Sequence, residues 1–267
     1  MSSHASLILA PPGFDRRRPT RIGALFSGGK DSTYAAYLES KRNELVCAIT
    51  VFPRSDMSYM FHFPNLKWTR LQSEAMGVPQ VTEETAGRKE EELADLTRAI
   101  HRAKTEYQIE GVCTGALASV YQKSRVERIC STLGLQCVSP LWGAEPESYL
   151  RQLVSDGFVS MVVGVSAMGL TEDWLGRTLD HEAVEELVAL GKKFRFHAGL
   201  EGGEGETFVL DAPSFAKRVE VRSGVKHWSG DAGYYEIADA ALVTKPRPKA
   251  RGASSQGQGR QSSGARP

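Results

Sequence analysis

The 267 residues contain only four cysteines, Cys47, Cys113, Cys130 and Cys137. None forms a C-x-x-C pair and no histidine cluster accompanies them, which excludes the usual structural zinc sites. They read as reduced thiols in or near a core, as in a reducing cytoplasm. Charge of one sign is also missing. Lys plus Arg total 33 and Asp plus Glu 32, a net charge of +1, so no global basic excess points to nucleic acid or an anionic membrane. No apolar run is long enough to span a bilayer. The early stretch Leu7 to Ala10 is too short for a signal core and ends in Pro11-Pro12. Two familiar nucleotide loops are absent as well. There is no dinucleotide G-x-G-x-x-G, and the only Gly-Lys with loop context, Gly29-Lys30, continues into Asp31 rather than the Ser or Thr of a Walker A loop.

What is present is an alternation of short apolar strands and amphipathic helices. Residues 1–20 read as a loose leader. Strands are expected at 21–26, 44–52 and 111–114. Helices are expected at 31–41 (core face Tyr34, Ala35, Leu38), 66–76 (Trp68, Leu71, Ala75), 90–107 and 119–133. This order implies parallel βαβ units, a Rossmann-like α/β sheet with helices on both faces. After Pro140 the text changes. Helices at 147–155 and 179–190 and strands at 158–165, 206–211, 217–228 and 234–243 predict a smaller α+β domain over 141–245, with the boundary near 138–142. Residues 246–267 are rich in Pro, Gly, Ser and Arg and read as a disordered, solubilising tail rather than an RNA-binding one.

Between the first strand and the first helix stands Ser27-Gly28-Gly29-Lys30-Asp31-Ser32. Glycines let a backbone approach a ligand closely, and the following helix start aims amides and partial positive charge at it. Ser27 and Ser32 add hydroxyls and Lys30 a cation. Asp31 would repel a bare phosphate, so it implies a Mg²⁺ ion between itself and the phosphates. A plain strand-to-helix turn is the competing reading; the full hexapeptide in this place favours phosphate binding.

This loop resembles the PP-loop of the N-type ATP pyrophosphatases, which form adenylated intermediates and release pyrophosphate on a Rossmann-like sheet. Further stretches narrow the likeness. They are Ser58-Tyr59-Met60-Phe61-His62, Thr114-Gly115-Ala116, Tyr121-Gln122-Lys123-Ser124-Arg125-Val126-Glu127, Pro140-Leu141-Trp142, Asp173-Trp174-Leu175-Gly176-Arg177, Glu201-Gly202-Gly203-Glu204-Gly205-Glu206-Thr207 and Leu210-Asp211-Ala212-Pro213. In order, over roughly residues 20–225, they resemble the diphthine–ammonia ligase family. That resemblance implies ATP-dependent amidation of the diphthine carboxylate on elongation factor 2, through an acyl-adenylate, with AMP and pyrophosphate released. Free ammonium is the expected nitrogen donor, since no glutaminase-like region is evident. No membrane and no specific nucleic acid is expected as partner, and a homodimer stays open.

The resemblance also implies roles. Ser27, Gly28, Gly29, Lys30, Asp31 and Ser32 hold ATP, with Asp31 toward the metal. Gly115 allows close approach near the nucleotide. Ile49 and Phe52 line the adenine pocket or pack in the core. Lys30, Asp31, Glu201, Glu204 and Glu206 are candidate catalytic residues; three carboxylates on one glycine loop repel one another unless a cation sits there. Tyr59, His62, Gln122, Arg125 and Thr207 are candidates for the acceptor site, each weighed against core packing or a solvated face. Two positions depart from the family's pattern, changes that would loosen or reshape the loop: Gly205 stands where an aromatic often does, and Leu200 where a glycine often does. A tRNA-modifying PP-loop enzyme and a non-catalytic nucleotide-binding regulatory module remain as alternatives. The first usually brings paired cysteines or a basic excess, and the second is separated by whether AMP and pyrophosphate are made.

Overall fold

A computed structural model describes residues 18–53, 65–85 and 89–245. At the start of the described residues Thr20 O accepts the Glu44 amide at 3.0 Å, and Arg18 pairs with Glu110. The tail from 246, and Tyr59 and His62, lie outside the described residues.

The first sheet has five parallel strands in the order β3-β2-β1-β4-β5. They are β1 (Arg21–Leu25), β2 (Glu44–Pro53), β3 (Gln80–Thr85), β4 (Gly111–Cys113) and β5 (Gln136–Val138). The helices between them are α1 (Lys30–Ser40), α2 (Thr69–Met76), α3 (Lys89–Tyr107) and α4 (Val120–Thr132). Apolar clusters cover the sheet on both faces, one built around Ile22, Ala24 and Tyr34 and the other around Ile49, Val81, Ile100 and Val112. The chain winds one way through β1-β2-β3 and then returns to the other side of β1 with β4. Open α/β sheets bind ligands at such a reversal, in the crevice beyond the strand ends. The 27–32 loop follows β1 and the 114–118 turn follows β4, so both border that crevice.

After β5 come α5 (Pro146–Ser155), β6 (Val159–Val165), α6 (His181–Phe194), β7 (Gly205–Asp211), β8 (Lys217–Ser229) and β9 (Ala232–Thr244). The four strands form an antiparallel sheet in the order β7-β6-β9-β8. The helix starts obey local chemistry. Glu145 accepts the Glu147 and Ser148 amides ahead of Pro146, and Asp180 accepts the Ala183 amide at 2.8 Å. The larger cluster runs continuously from Ile22, Tyr34 and Ala35 through Leu150 and Phe158 to Leu187 and Val209, joining both sheets in one core. At its centre Tyr34 meets Phe158 edge-on, centroids 5.1 Å apart, and gives its hydroxyl hydrogen to Asp156 at 2.7 Å.

Two strands, β3 and β5, went unpredicted, and α2 turns a different face inward from the one its apolar spacing implied. Trp68 and Leu71 are only partly buried, whereas Thr69, Gln72 and Ser73 are buried with Ala75. The reason is hydrogen bonding: those polar side chains bind backbone groups of neighbouring segments, and a buried polar group costs little once paired. Among the described residues no helix is long and apolar enough to cross a membrane, and the four cysteines are all free thiols.

Candidate active site

The 27–32 loop is held open by its own hydroxyls and by β7. Gly28 has φ +78°, a left-handed conformation suited to glycine. Ser27 Oγ lies 3.1 Å from Ser32 Oγ, and the Gly29 amide donates to Ser27 Oγ at 3.4 Å. The Gly28 carbonyl accepts the Val209 amide and the Gln72 side-chain amide, each at 2.9 Å. Gln72 also donates to Val209 O at 2.7 Å, so one buried side chain ties α2, the loop and β7 together. The Lys30 amide donates to Thr207 Oγ1 at 3.0 Å. Thr207, expected at the acceptor, therefore touches the start of α1 directly.

Lys30 is 2% exposed, an expensive place for a cation unless paired. Its ammonium donates to both oxygens of Asp31, at 3.0 and 2.8 Å. Asp31 Oδ1 also accepts the Tyr149 hydroxyl at 2.7 Å. Burial, then the charge of Asp31 and the bond to it, hold the Tyr149 phenol well above its ordinary pKa, so it stays a donor. Sequence reasoning missed Tyr149. Its spacing with Leu150 and Leu153 marks only an apolar helix face, and nothing local reveals a partner 118 residues away.

Glu201 reaches across from the glycine loop to accept the Leu117 and Ala118 amides at 3.2 and 3.0 Å. Desolvation, then the Asp31 charge, raise its pKa against the pull of those amides and of Lys30. Lys30, Asp31 and Glu201 thus lie near one another. Glu204 and Glu206 do not join them. Glu204 braces its own loop by accepting the His197 and Gly202 amides at 3.2 and 2.6 Å. Glu206 lies on β7 one residue before Thr207 and so on the opposite face of the strand. Burial alone raises its pKa to about 7.

Gly115 does allow a close approach, but to protein: a Cβ there would stand 2.6 Å from the Asp31 carbonyl carbon and the Ser32 amide. Its lack of a side chain lets the turn after β4 pack on the first turn of α1. Ile49 is 1% exposed within the core on the α3 side, the packing alternative of its two readings; Phe52 is partly exposed near the end of β2. Gln122 is exposed on α4, its amide capped by Ser119, and Arg125 stacks 3.2 Å over the Tyr121 ring.

The donor set fits a triphosphate: a left-handed glycine turn, paired hydroxyls, a helix start and a buried lysine face one crevice. For Mg²⁺, Asp31 is the single carboxylate on the loop. No group of three or more potential ligands occurs among the described residues.

The family model for the diphthamide synthase N-terminal domain matches residues 20–137, and that for its C-terminal domain matches 145–243. A human protein named diphthine–ammonia ligase is 34% identical over 223 residues, covering 76% of this chain and 83% of that one. A bovine protein of the same name is 32% identical over 254 residues, covering 85% and 94%. A fission-yeast (Schizosaccharomyces pombe) protein so named is 34% identical over 245 residues and 85% of this chain, which spans only 40% of that longer relative. This chain belongs to the diphthamide synthase family.

Proposed function

We propose that this protein is a diphthine–ammonia ligase, converting the diphthine carboxylate of elongation factor 2 into an amide at the expense of ATP. The observation that carries the reading is the 27–32 loop at the strand-order reversal, where buried Lys30 is paired with a partly exposed Asp31 and the Lys30 amide is bound by Thr207. The names of the relatives support it.

A carboxylate is a poor acyl donor because oxide would have to leave. Its attack on the α-phosphate expels pyrophosphate and gives an acyl-adenylate; ammonia then displaces AMP. In this reading Gly28, Gly29, Ser27 and Ser32 cradle the β and γ phosphates and Lys30 offsets their charge. Asp31, oriented by Tyr149, faces Mg²⁺, which would neutralise charge on the departing pyrophosphate. Glu201 holds the 117–118 turn against the crevice. Free ammonium is the nitrogen source and the free thiols fit a cytoplasmic setting. The division of labour follows the two sheets: residues 21–140 bind ATP and 141–245 bind the acceptor. The end of β5 at Val138 and the start of β6 at Val159 support that division.

The test is incubation with diphthine-bearing elongation factor 2, Mg-ATP and ammonium, followed by mass analysis of the modified residue. Conversion of acid to amide lowers the mass by about one dalton with AMP formed in step. Formation of ADP, or no mass change with acceptor present, overturns the reading. Asp31→Ala should abolish AMP formation while the protein stays folded.

A further inference from the structure

Two buried side chains hold the phosphate loop by its carbonyls. Gln72 of α2 is fully buried, and its side-chain amide donates to Gly28 O at 2.9 Å and to Val209 O at 2.7 Å. Thr50 of β2 is also buried, and its hydroxyl donates to Phe26 O at 2.7 Å. The two anchors are linked. Gln80 donates to Thr50 Oγ1 and to Thr69 Oγ1, each at 2.8 Å, and Thr69 stands one turn before Gln72 on α2.

These anchors fix the orientation of two peptide planes. In a trans peptide the C=O and the N–H point in opposite directions. With the Phe26 and Gly28 carbonyls turned into the protein, the amides of Ser27 and Gly29 are turned the other way. Each meets a hydroxyl there: Ser27 N–H on Ser32 Oγ at 3.3 Å and Gly29 N–H on Ser27 Oγ at 3.4 Å. Both bonds are long, and Ser27 is exposed, so an entering anion can take these donors over. Were either plane turned round, a carbonyl oxygen would face the same space and repel a phosphate.

As a mere filler Gln72 is a poor choice. Its Oε1 accepts no hydrogen bond among the described residues, and a buried unpaired carbonyl is costly. Its Nε2 has to face the two backbone carbonyls, since turning the amide over would set oxygen against oxygen twice. Oε1 then lies 2.2 Å from where a Cβ on Gly28 would be, so the same residue keeps position 28 for glycine. Its second bond sets the anchor on β7, two residues from Thr207, which holds the next amide of the loop, that of Lys30.

We propose that Gln72, together with Thr50, is a positioning residue for the phosphate loop: anchoring the Gly28 and Phe26 carbonyls keeps the Gly29 and Ser27 amides turned outward as donors to the nucleotide's phosphate oxygens. This rests on the loop binding ATP, as proposed above. Both side chains are buried and act through the backbone.

The experiment is calorimetric binding of Mg-ATP to the full chain without acceptor, so that no turnover intervenes. Gln72→Met keeps the length and burial but removes the donor. Affinity should fall about tenfold, the loss of one positioned hydrogen bond to a charged group. Thr50→Val should weaken binding in the same direction, and Thr50→Ser, which keeps the hydroxyl, should restore it. Gln72→Glu adds a readout that packing does not give. A carboxylate set against two carbonyls repels them, whereas the protonated acid donates to one. Burial raises the pKa of such a carboxyl, so affinity relative to wild type should be low at about pH 8 and recover towards about pH 6. If wild type binds ATP and Gln72→Met and Thr50→Val bind it equally well, the positioning role fails and the ATP reading stands. A ratio for Gln72→Glu that does not change with pH also overturns the proposal. If wild type binds no ATP, the reading of the loop fails and the proposal with it. Where Gln72→Met does not fold, the contrast between Thr50→Val and Thr50→Ser decides.

Discussion

The Thr207 hydroxyl accepts the backbone amide of Lys30 at 3.0 Å, placing a residue of the antiparallel sheet on the first turn of the helix that follows the phosphate loop. Helix starts have unpaired amides, and here the second sheet supplies one acceptor. A phosphate oxygen entering the loop would compete for that N–H, and the displaced hydroxyl could donate to the same phosphate. Thr207→Val keeps the shape and removes the hydroxyl. KM for ATP should rise about tenfold, the value of one hydrogen bond to a charged group, while Thr207→Ser stays near wild type. Steady-state AMP release read against ATP concentration checks this, and an unchanged KM in Thr207→Val sinks the coupling.

Tyr149 holds Asp31 from the opposite side. Its hydroxyl is the only restraint on Asp31 that comes from the 141–245 region among the described residues. Tyr149→Phe deletes one oxygen and leaves the Lys30–Asp31 pair. The expected result is a fall in AMP formation of about tenfold, with a stability loss of about 1–2 kcal/mol for a bond to a charged acceptor. A rise in the Mg²⁺ concentration needed for half-maximal rate would separate loss of positioning from general destabilisation. An unaltered Mg²⁺ requirement argues that Tyr149 only packs.

Glu206 links pH to stability. Its pKa rises from the ordinary 4.5 to about 7 through desolvation. Below about pH 4.5 the carboxyl is neutral in both folded and unfolded chains and nothing is lost. Between 4.5 and 7 the unfolded chain ionises first, so stability falls as pH rises, and above 7 the loss is constant. Its ceiling is about 3 kcal/mol. Glu206→Gln should therefore match wild type in chemical denaturation at pH 4.5 and exceed it at pH 8. Parallel curves for the two proteins across this range would mean the carboxylate is solvated.

Much of this architecture can be read from the chain because its signals are local. The turn 27–32 declares a phosphate cradle through residue types alone, and α4, α5 and α6 show their periods. What could not be read is whatever depends on distant partners. β3 (Gln80–Thr85) is polar by composition and becomes a strand only because β2 is there to pair with it. α2 hides Gln72 instead of Leu71 because the carbonyls of Gly28 and Val209 lie within reach. The three glutamates of 201–207 look equivalent in sequence, yet strand alternation and loop curvature send them to three different places.

Leu200 and Gly205 occupy one space. Leu200 holds φ +58°, a conformation costing a branched residue roughly 1–2 kcal/mol, yet its side chain is 6% exposed within the main cluster. Its Cδ atoms lie 3.3 and 3.4 Å from where a Cβ on Gly205 would be. The leucine therefore fills room that a side chain at 205 would take. Leu200→Gly relieves the strain but empties a buried site, and truncating a buried leucine costs about 2–5 kcal/mol, so the net effect should be destabilising. Gly205→Phe alone should cost more, since its Cβ also meets the Gly164 carbonyl oxygen at 2.7 Å. In the double variant the ring gains the space leucine vacated, while the contact with Gly164 remains. The pair should couple favourably by about 1 kcal/mol or more, short of full recovery. A double-mutant cycle by denaturant unfolding measures that coupling; strict additivity would show that the two substitutions are independent and that the loop tolerates each for separate reasons.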